Sequence, residues 1–153
     1  MKKNRTAARE LALNILYQVD AASFTLEEAL DTALENADLT SLDAHGKSGS
    51  EEAKEYAKAL SEGVIAKKEM LDDIIKSFSK DWTIDRQPIV DRNILRMALY
   101  EILYLDDIPF AVSVDEAIEM AKKFSTADSG KFVNGILAKY LREESIIDED
   151  TDS

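Results

Sequence analysis

Apolar residues recur at intervals of three and four along most of the chain, and this spacing constrains the fold more than any other feature. In the first segment, from Thr6 to Ala22, the recurring residues are Ala8, Leu11, Ala12, Ile15, Leu16 and Val19. The same spacing returns after Ala53, Pro88, Ser113 and Ser129, and no segment alternates as a strand would. The sequence therefore predicts an all-α fold of about seven helices.

Capping residues indicate where three of these helices begin. Thr25 is followed by Glu28, and Ser113 by Glu116, with the spacing of a capping box in both cases. Pro88 suits the first position of the central helix, because its missing N–H would be unpaired there. These signals predict helix starts at Thr25, Pro88 and Ser113.

The helical spacing is lost in one internal segment and is ambiguous in the next. Residues from Asn36 to Ser50 gather Asp, Ser, Thr and Gly, which predicts a loop. From Ala53 to Phe78 the spacing fits one long helix or two helices with a break near Lys67 to Glu69, and both alternatives stay open. Asp72 and Asp73 fall in this segment and are expected on a solvated helix face.

Composition narrows the class of protein. With 153 residues, 45% of them hydrophobic and 33% charged, the chain is long enough for one domain with a substantial core. No apolar run is long enough to span a membrane, and the basic start lacks the apolar core of a signal peptide. The absence of cysteine excludes disulfides and thiolate metal sites and fits a reducing compartment. We therefore expect a cytoplasmic protein with no membrane partner.

Charge is distributed unevenly between the two ends of the chain. The formal net charge of −12 disfavours the approach of a polyanion. Lys2, Lys3, Arg5 and Arg9 nevertheless precede the first acidic residue, and such basic arms often bind nucleic acid. On charge alone, a solvated amino terminus is the simpler alternative. Residues 1–142 are expected to form the helical domain, and residues 143–153 a flexible acidic tail that either solubilises the protein or screens the arm from non-specific RNA.

The sequence contains no recognisable catalytic or metal-binding set. The single histidine, His45, lies in the polar loop without a partner at ligand spacing, so a solvated side chain is the simpler interpretation. With one His and no Cys, no nucleophilic triad can be assembled. No pair of carboxylates is isolated among apolar residues in the way that raises a pKa for acid–base work. We therefore predict no enzymatic activity, no metal and no cofactor.

The stretch STADSGKFVNG, residues 125–135, contains a Ser-Gly-Lys run like the end of a nucleotide-binding P-loop. A P-loop has a glycine where Ser125 stands and a magnesium-binding hydroxyl where Phe132 stands, and it follows a strand. The nucleotide interpretation therefore fails on chemistry.

A different phosphate chemistry remains possible at the same place. Asp128 or Ser129 is a natural N-cap, which would leave N–H groups near Gly130 and Lys131 facing outward at the positive end of a helix. Phe124, just before the loop, could offer its ring to an unstacked base, as single-stranded RNA recognition often requires. An ordinary capped helix with Phe124 in the core is an equally good alternative.

Three longer stretches carry a family resemblance. They are ARELALNILYQVD, VDRNILRMALYEILYLDDIPFAVSVDEAIEMAKKFS and DSGKFVNGILAKY. In this order they resemble the NusB family of bacterial transcription-antitermination factors. The resemblance implies a compact all-helical domain of two packed helical subdomains. It also implies a non-catalytic factor that binds the single-stranded boxA element of ribosomal RNA leaders together with NusE, a small-subunit ribosomal protein, in a complex that keeps RNA polymerase elongating.

The resemblance also implies which residues contact these partners. RNA contacts are expected from the arm, the first helix and the loop before the last helix, at Lys2, Lys3, Arg5, Arg9, Phe124, Asp128, Ser129, Lys131 and Phe132. Asp128 could accept from an exocyclic base amine, cap the helix, or do both. Tyr17 and Asp91 are the candidates for the NusE face, with intramolecular packing or surface charge as the alternative. A homodimer through an exposed Leu13 and Tyr17 face is a further possibility.

Two other functions stay open at this stage. The first is a protein–protein helical adaptor with weak or lost RNA binding, which the net charge of −12 and the thin arm favour, since Thr6, Ala7 and Ala8 stand where family members often carry arginines. The second is the accessory domain of an RNA-modifying enzyme, which is disfavoured because the chain ends after the last helix without a cofactor-binding domain.

Overall fold

The computed structural model describes residues 2–36, 47–79 and 86–144, and these form seven helices with no strand. The helices are α1 (Lys2–Ala21), α2 (Leu26–Asn36), α3 (Lys47–Ala66), α4 (Lys68–Phe78), α5 (Ile89–Tyr104), α6 (Phe110–Phe124) and α7 (Ala127–Glu143). The predicted all-α class and the helix count are confirmed. His45 and the tail beyond Glu144 lie outside the described residues.

The chain divides into two units, Met1–Lys67 with α1 to α3 and Lys68–Ser153 with α4 to α7. In the first unit α1 packs against both α3 and α2. The buried side chains of this unit are Ala8, Leu11, Ala12, Leu13, Ile15, Leu16, Ala29, Leu30, Ala33, Ala53, Ala57, Leu60 and Val64. Many of them are alanines, and small side chains let helix axes approach closely.

The buried face of α1 is wider than the apolar stripe predicted for it. Leu13 lies outside that stripe, yet it is buried, so the exposed face of Leu13 and Tyr17 suggested for dimerisation is wrong for Leu13. The physical reason is that α1 has two neighbours, α2 and α3, and one stripe accounts for only one of them. Tyr17 remains exposed.

The start of α2 follows the predicted capping box. The Glu28 N–H donates to Thr25 Oγ1 at 3.0 Å, and the Thr25 N–H donates to Glu28 Oε1 at 2.9 Å. Two N–H groups that the helix cannot pair are thereby satisfied, and such a cap contributes about 1 kcal/mol to stability. The turn before it is closed by Ser23, whose φ of 61° lies in the left-handed region.

In the second unit, α5 packs against α4, α6 and α7. This position explains why most of its length is buried, polar residues included. The buried apolar residues of the unit are Leu71, Ile75, Ile94, Leu95, Met97, Ala98, Leu99, Ile102, Ile108, Ala117, Met120, Ala121, Val133, Ile136, Leu137, Tyr140 and Leu141.

A partly buried ion pair joins α4 to α5. Arg96 Nε donates to Asp72 Oδ1 at 2.7 Å and Nη2 donates to Asp72 Oδ2 at 3.0 Å, a bidentate arrangement, while Nη1 donates to Asn93 Oδ1 at 2.9 Å. The expectation that Asp72 lies on a solvated face is therefore wrong. The carboxylate is held because the buried guanidinium of Arg96 needs a charged acceptor.

Tyr140 of α7 packs edge-on against Phe78 of α4, with the ring centroids 5.8 Å apart. Burial raises the pKa of Tyr140 above its ordinary value of 10.0, and the negative charge of Glu144 raises it further. Both causes disfavour the ionised phenolate.

Both ends of the internal loop differ from the positions predicted for them. Helix α3 begins at Lys47 and α2 ends at Asn36, so the loop predicted from Asn36 to Ser50 is too long at both ends, and residues 37–46 lie outside the described residues. Of the two alternatives for the segment after Ala53, one long helix or two, the structure shows two. The helix is interrupted at Lys67, within the region where the second alternative placed the break.

The first residues of two helices, α5 and α6, also differ from those predicted. Pro88 is the N-cap of α5, with ψ 143°, rather than its first residue. Pro109 likewise caps α6, with ψ 142°, so α6 begins at Phe110 and the capping box predicted at Ser113 is wrong. Ser113 lies inside the helix, and its hydroxyl donates to Glu101 Oε1 at 2.7 Å. The hydroxyl that the pattern predicted to cap a helix is therefore bonded to a buried carboxylate of another helix.

Among the described residues, no helix combines the length and the apolar character that crossing a membrane requires.

Candidate nucleic-acid interface

The basic residues at the start of the chain belong to a helix. Helix α1 begins at Lys2, whereas the periodicity predicted a helix only from Thr6 with a separate arm before it. The apolar stripe could not show this, because Lys2, Lys3 and Arg5 contribute nothing to it. A helical backbone places these charges at fixed spacing along one element instead of on a loose tail.

Arg5 and Arg9 both lie over the ring of Tyr56 on α3. The guanidinium carbon of Arg5 is 4.0 Å from the ring centroid, and that of Arg9 is 6.0 Å away. Arg5 is half-buried, but Arg9 is only 4% exposed. A stacked guanidinium uses its face for the ring and keeps its edge N–H groups available for phosphate oxygens. Arg5 is therefore the more accessible of the two guanidinium groups, whereas the burial of Arg9 places it in the packing of α1 on α3.

A second group of predicted residues lies where α6 meets α7, in a segment, residues 124–131, that we call the α6–α7 turn. Its N-cap is Thr126, whose Oγ1 accepts from the Ser129 N–H at 3.0 Å. The N-cap predicted at Asp128 or Ser129 is therefore wrong, because the more upstream hydroxyl takes that position. The Gly130 N–H is not outward-facing as predicted either, since it donates to the Thr126 carbonyl at 3.2 Å.

Phe124, the one large apolar residue of the turn, is 43% exposed, so its ring does not fill the core. The Lys123 ammonium lies 5.3 Å from the centroid of that ring. Asp128 and Lys131 are exposed in the first two turns of α7, and Phe132 is half-buried. An exposed ring with a cation near it is an arrangement that is able to stack a base and neutralise its phosphate.

Lys122 and Lys123 were not singled out from the sequence, although they directly precede Phe124. Gly130 allows Lys122 to lie close to α7, because a Cβ there would be 3.1 Å from Lys122 Cγ. The Lys122 ammonium is 3.8 Å from Glu119 in an exposed pair, which contributes little to stability. A Lys-Lys-Phe run before a capped helix is the signal that could have identified both lysines.

Ser129 and Asp91 are buried beneath the turn. Ser129 Oγ donates to Asp91 Oδ2 at 2.8 Å and lies 2.9 Å from Ser125 Oγ, and Thr126 Oγ1 is 3.2 Å away. Asp91 is 2% exposed and Ser129 is 7% exposed. This geometry supports the intramolecular alternative for Asp91, and Ser129 is placed to hold the turn rather than to meet a ligand directly.

The predicted residues divide between the two units. Tyr17, 43% exposed, lies with Arg5 and Arg9 in the first unit, whereas Phe124, Asp128, Lys131 and their neighbours lie in the second. Within the described parts of the chain, no cluster of three or more His, Asp or Glu side chains could hold a metal ion.

These features define a class: an all-helical protein of two units, with a basic first helix in one and an exposed aromatic residue among lysines in the other. Comparison with known proteins gives the family. The NusB family profile matches residues 6–142, and the chain belongs to that family.

Three similar proteins show how far the likeness extends. The transcription antitermination protein NusB of Ruminiclostridium cellulolyticum is 44% identical over 135 residues, which cover 88% of this chain and 86% of that protein. A solved structure of T. maritima NusB is 37% identical with a TM-score of 0.75, covering 91% of each chain. A crystal structure of antitermination factors NusB and NusE in complex with dsRNA is 28% identical with a TM-score of 0.78, covering 94% of this chain and 99% of that one.

Proposed function

We propose that this chain is a non-catalytic RNA-binding factor in transcription antitermination. The observation that carries the proposal is the exposed ring of Phe124, with Lys123 beside it and Lys131 on the following helix. Membership of the NusB family and relatives named as antitermination proteins support it independently of that geometry. The RNA is proposed to be boxA-type RNA of ribosomal RNA leaders.

The two units have different tasks in this proposal. The basic first helix neutralises phosphates with little regard to sequence, through Lys2, Lys3 and the stacked Arg5. The α6–α7 turn contacts bases: Phe124 stacks, Lys131 pairs with phosphate, and the exposed carboxylate of Asp128 accepts from an exocyclic amine. Phe132, half-buried on α7, is the remaining proposed RNA contact of this group. Arg9 and Ser129 act indirectly, because both are buried.

The proposed partners are NusE and the RNA polymerase antitermination complex, with the cytoplasm as the site of action. NusE is supported by the solved complex of NusB with NusE, to which this chain is similar along most of its length. Tyr17, exposed in the first unit, is the proposed contact for that partner. A homodimer through the same tyrosine is the competing use of this face.

The experiment is fluorescence anisotropy of a labelled boxA RNA titrated with this protein, with and without NusE, at two salt concentrations. A scrambled RNA and a double-stranded RNA serve as comparisons. We expect weak binding alone, much tighter binding with NusE, and preference for boxA over the scrambled RNA. With Arg9 buried, the three remaining basic residues of α1 contribute a salt slope of about −2 at 0.7 per phosphate. Equal binding with and without NusE would contradict the proposal.

A second candidate is a protein–protein helical adaptor, and two observations favour it. The net charge is −12, and the burial of Arg9 leaves fewer cations for RNA than the sequence suggested. The same titration decides between the two functions. Binding of NusE without any salt-dependent RNA binding would leave the adaptor as the function.

A further inference from the structure

The α6–α7 turn is tied to a third element that comes much earlier in the sequence. Asp91 belongs to the first turn of α5, 38 residues before Ser129, and its Oδ2 accepts the Ser129 hydroxyl at 2.8 Å. Ser129 in turn contacts the hydroxyls of Ser125 and Thr126, the two residues that connect α6 to α7. One buried carboxylate is therefore the tertiary acceptor for a chain of three hydroxyls.

The Asp91 carboxylate is held without a complete set of hydrogen bonds. Its Oδ1 is buried and has no hydrogen-bond partner among the residues that the structure describes, which is a costly arrangement for a carboxylate. Two helix ends offset part of that cost. Asp91 lies in the first turn of α5, and through Ser129 it also meets the first turn of α7, so the positive ends of two helix dipoles face one negative charge.

From this arrangement we propose that Asp91 is a positioning residue for RNA binding, acting through Ser129. The carboxylate fixes the Ser129 hydroxyl, the hydroxyl fixes the connection between α6 and α7, and Phe124 and Lys131 on either side are presented in one geometry. RNA then binds to a turn that is ordered before the RNA arrives. The inference rests on the proposed function and assigns Asp91 a different task from partner binding.

Breaking the contact should cost affinity by lowering the fraction of molecules with a competent turn. If that fraction falls from nearly one to about 0.2, the apparent Kd rises about fivefold. The direction is informative, because Asp91→Ala also removes a negative charge and on charge alone would strengthen the binding of RNA. A loss of affinity therefore cannot come from the change in charge.

The test compares four single variants and one double variant with the wild type. Asp91→Ala and Ser129→Ala remove one side of the contact, and Asp91→Asn keeps a carbonyl oxygen that can accept from Ser129 Oγ. Ser113→Ala is the matched control, since Ser113 also donates from a buried hydroxyl to a carboxylate of α5, Glu101, at 2.7 Å. All five are measured by hydrogen exchange without RNA and by boxA anisotropy both with and without NusE, because Asp91 was also a candidate contact for NusE.

We expect Asp91→Ala and Ser129→Ala to raise the open fraction of the turn from below about 0.05 to about 0.8, which should speed exchange of the amides of residues 129–131 by more than about tenfold and weaken RNA binding about fivefold. Asp91→Asn should recover most of both losses, and Ser113→Ala should change neither. The double variant of Asp91→Ala with Ser129→Ala, measured in the same way, should match Ser129→Ala, because that single change already removes the contact with Asp91.

Three results would overturn the proposal in different ways. Unchanged exchange at residues 129–131 would show that the contact does not hold the turn. Faster exchange with unchanged RNA affinity would show that the turn does not need holding for RNA. Wild-type protein that binds no RNA would remove the proposed function, and this inference with it.

Discussion

The guanidinium of Arg5 is stacked on the ring of Tyr56, with 4.0 Å between the guanidinium carbon and the ring centroid. Such a pair contributes about 0.5–1 kcal/mol when partly exposed, and it restricts a long side chain that would otherwise sample many rotamers. We expect Tyr56→Leu to weaken boxA binding about two- to fivefold by releasing Arg5, and Tyr56→Phe to leave it unchanged. Anisotropy at low salt measures both. If Tyr56→Leu bound as wild type does, the stacking would have no part in RNA binding.

Phe124 provides a second test, at the other group of residues. Phe124→Leu keeps an apolar side chain but removes the aromatic face, and loss of base stacking should cost about 1–3 kcal/mol of RNA binding free energy. Phe24→Leu is the matched control, because Phe24 is also an exposed phenylalanine and lies in the other unit. Equal affinities for the two variants would exclude Phe124 as the stacking residue.

Lys131 should act through charge, and salt dependence isolates that effect. Lys131→Gln removes one phosphate contact, so the slope of log K against log salt should become shallower by about 0.7. The exposed Lys76 of α4 supplies the control variant Lys76→Gln, which should leave the slope unchanged. An unaltered slope in Lys131→Gln would place the phosphate contacts elsewhere.

The ion pair of Asp72 and Arg96 should govern stability rather than RNA binding. Asp72→Ala takes two charge-assisted hydrogen bonds from a buried guanidinium, and we expect a loss of about 3 kcal/mol in the free energy of unfolding. Asp73→Ala, next to it on an exposed position, should change that free energy by less than about 0.5 kcal/mol. Urea denaturation compares them, and similar midpoints would mean that Arg96 is satisfied without Asp72.

The raised pKa of Tyr140 predicts a loss of stability in alkali. The folded state holds the phenolic proton more tightly than the unfolded state, so this contribution is fully present below the ordinary pKa of 10.0. Above it, stability falls by up to about 1.4 kcal/mol per pH unit until the pKa of the folded state is passed.

Tyr140→Phe isolates this contribution. The variant cannot ionise at that position, so its denaturation midpoints should decline less steeply than those of the wild type once the pH exceeds about 10. Parallel midpoints for the two proteins up to the alkaline limit of the experiment would contradict the prediction.

Local signals in the sequence were sufficient where the partner of a residue lies within one turn of helix. The capping box at Thr25 is such a case, and the apolar spacing was enough for the all-α class, although it left open whether the helix breaks near Lys67. The box at Ser113 failed because a distant acceptor, Glu101, takes its hydroxyl. No spacing rule could have revealed that competition.

The candidate site divides in the same way. Phe124 and Lys131 were found because an aromatic residue and a lysine beside a helix start are visible in the sequence. The burial of Arg9 and the contact between Asp91 and Ser129 were not, because each depends on a neighbour distant along the chain. Their roles in binding, like those of the other site residues, stay predictions until the variants are measured.

The hydroxyl chain under the α6–α7 turn has a consequence for anyone who would transplant the turn into another scaffold. The eight residues from Phe124 to Lys131 carry the ring and the charge, but the acceptor that orders them is on α5. A graft of this peptide alone would keep the residues of the site but lose the contact with Asp91 that fixes their geometry. A graft that keeps this geometry would have to include the start of α5 together with the α6–α7 turn. The smallest transferable unit therefore contains the N-termini of two helices, α5 and α7.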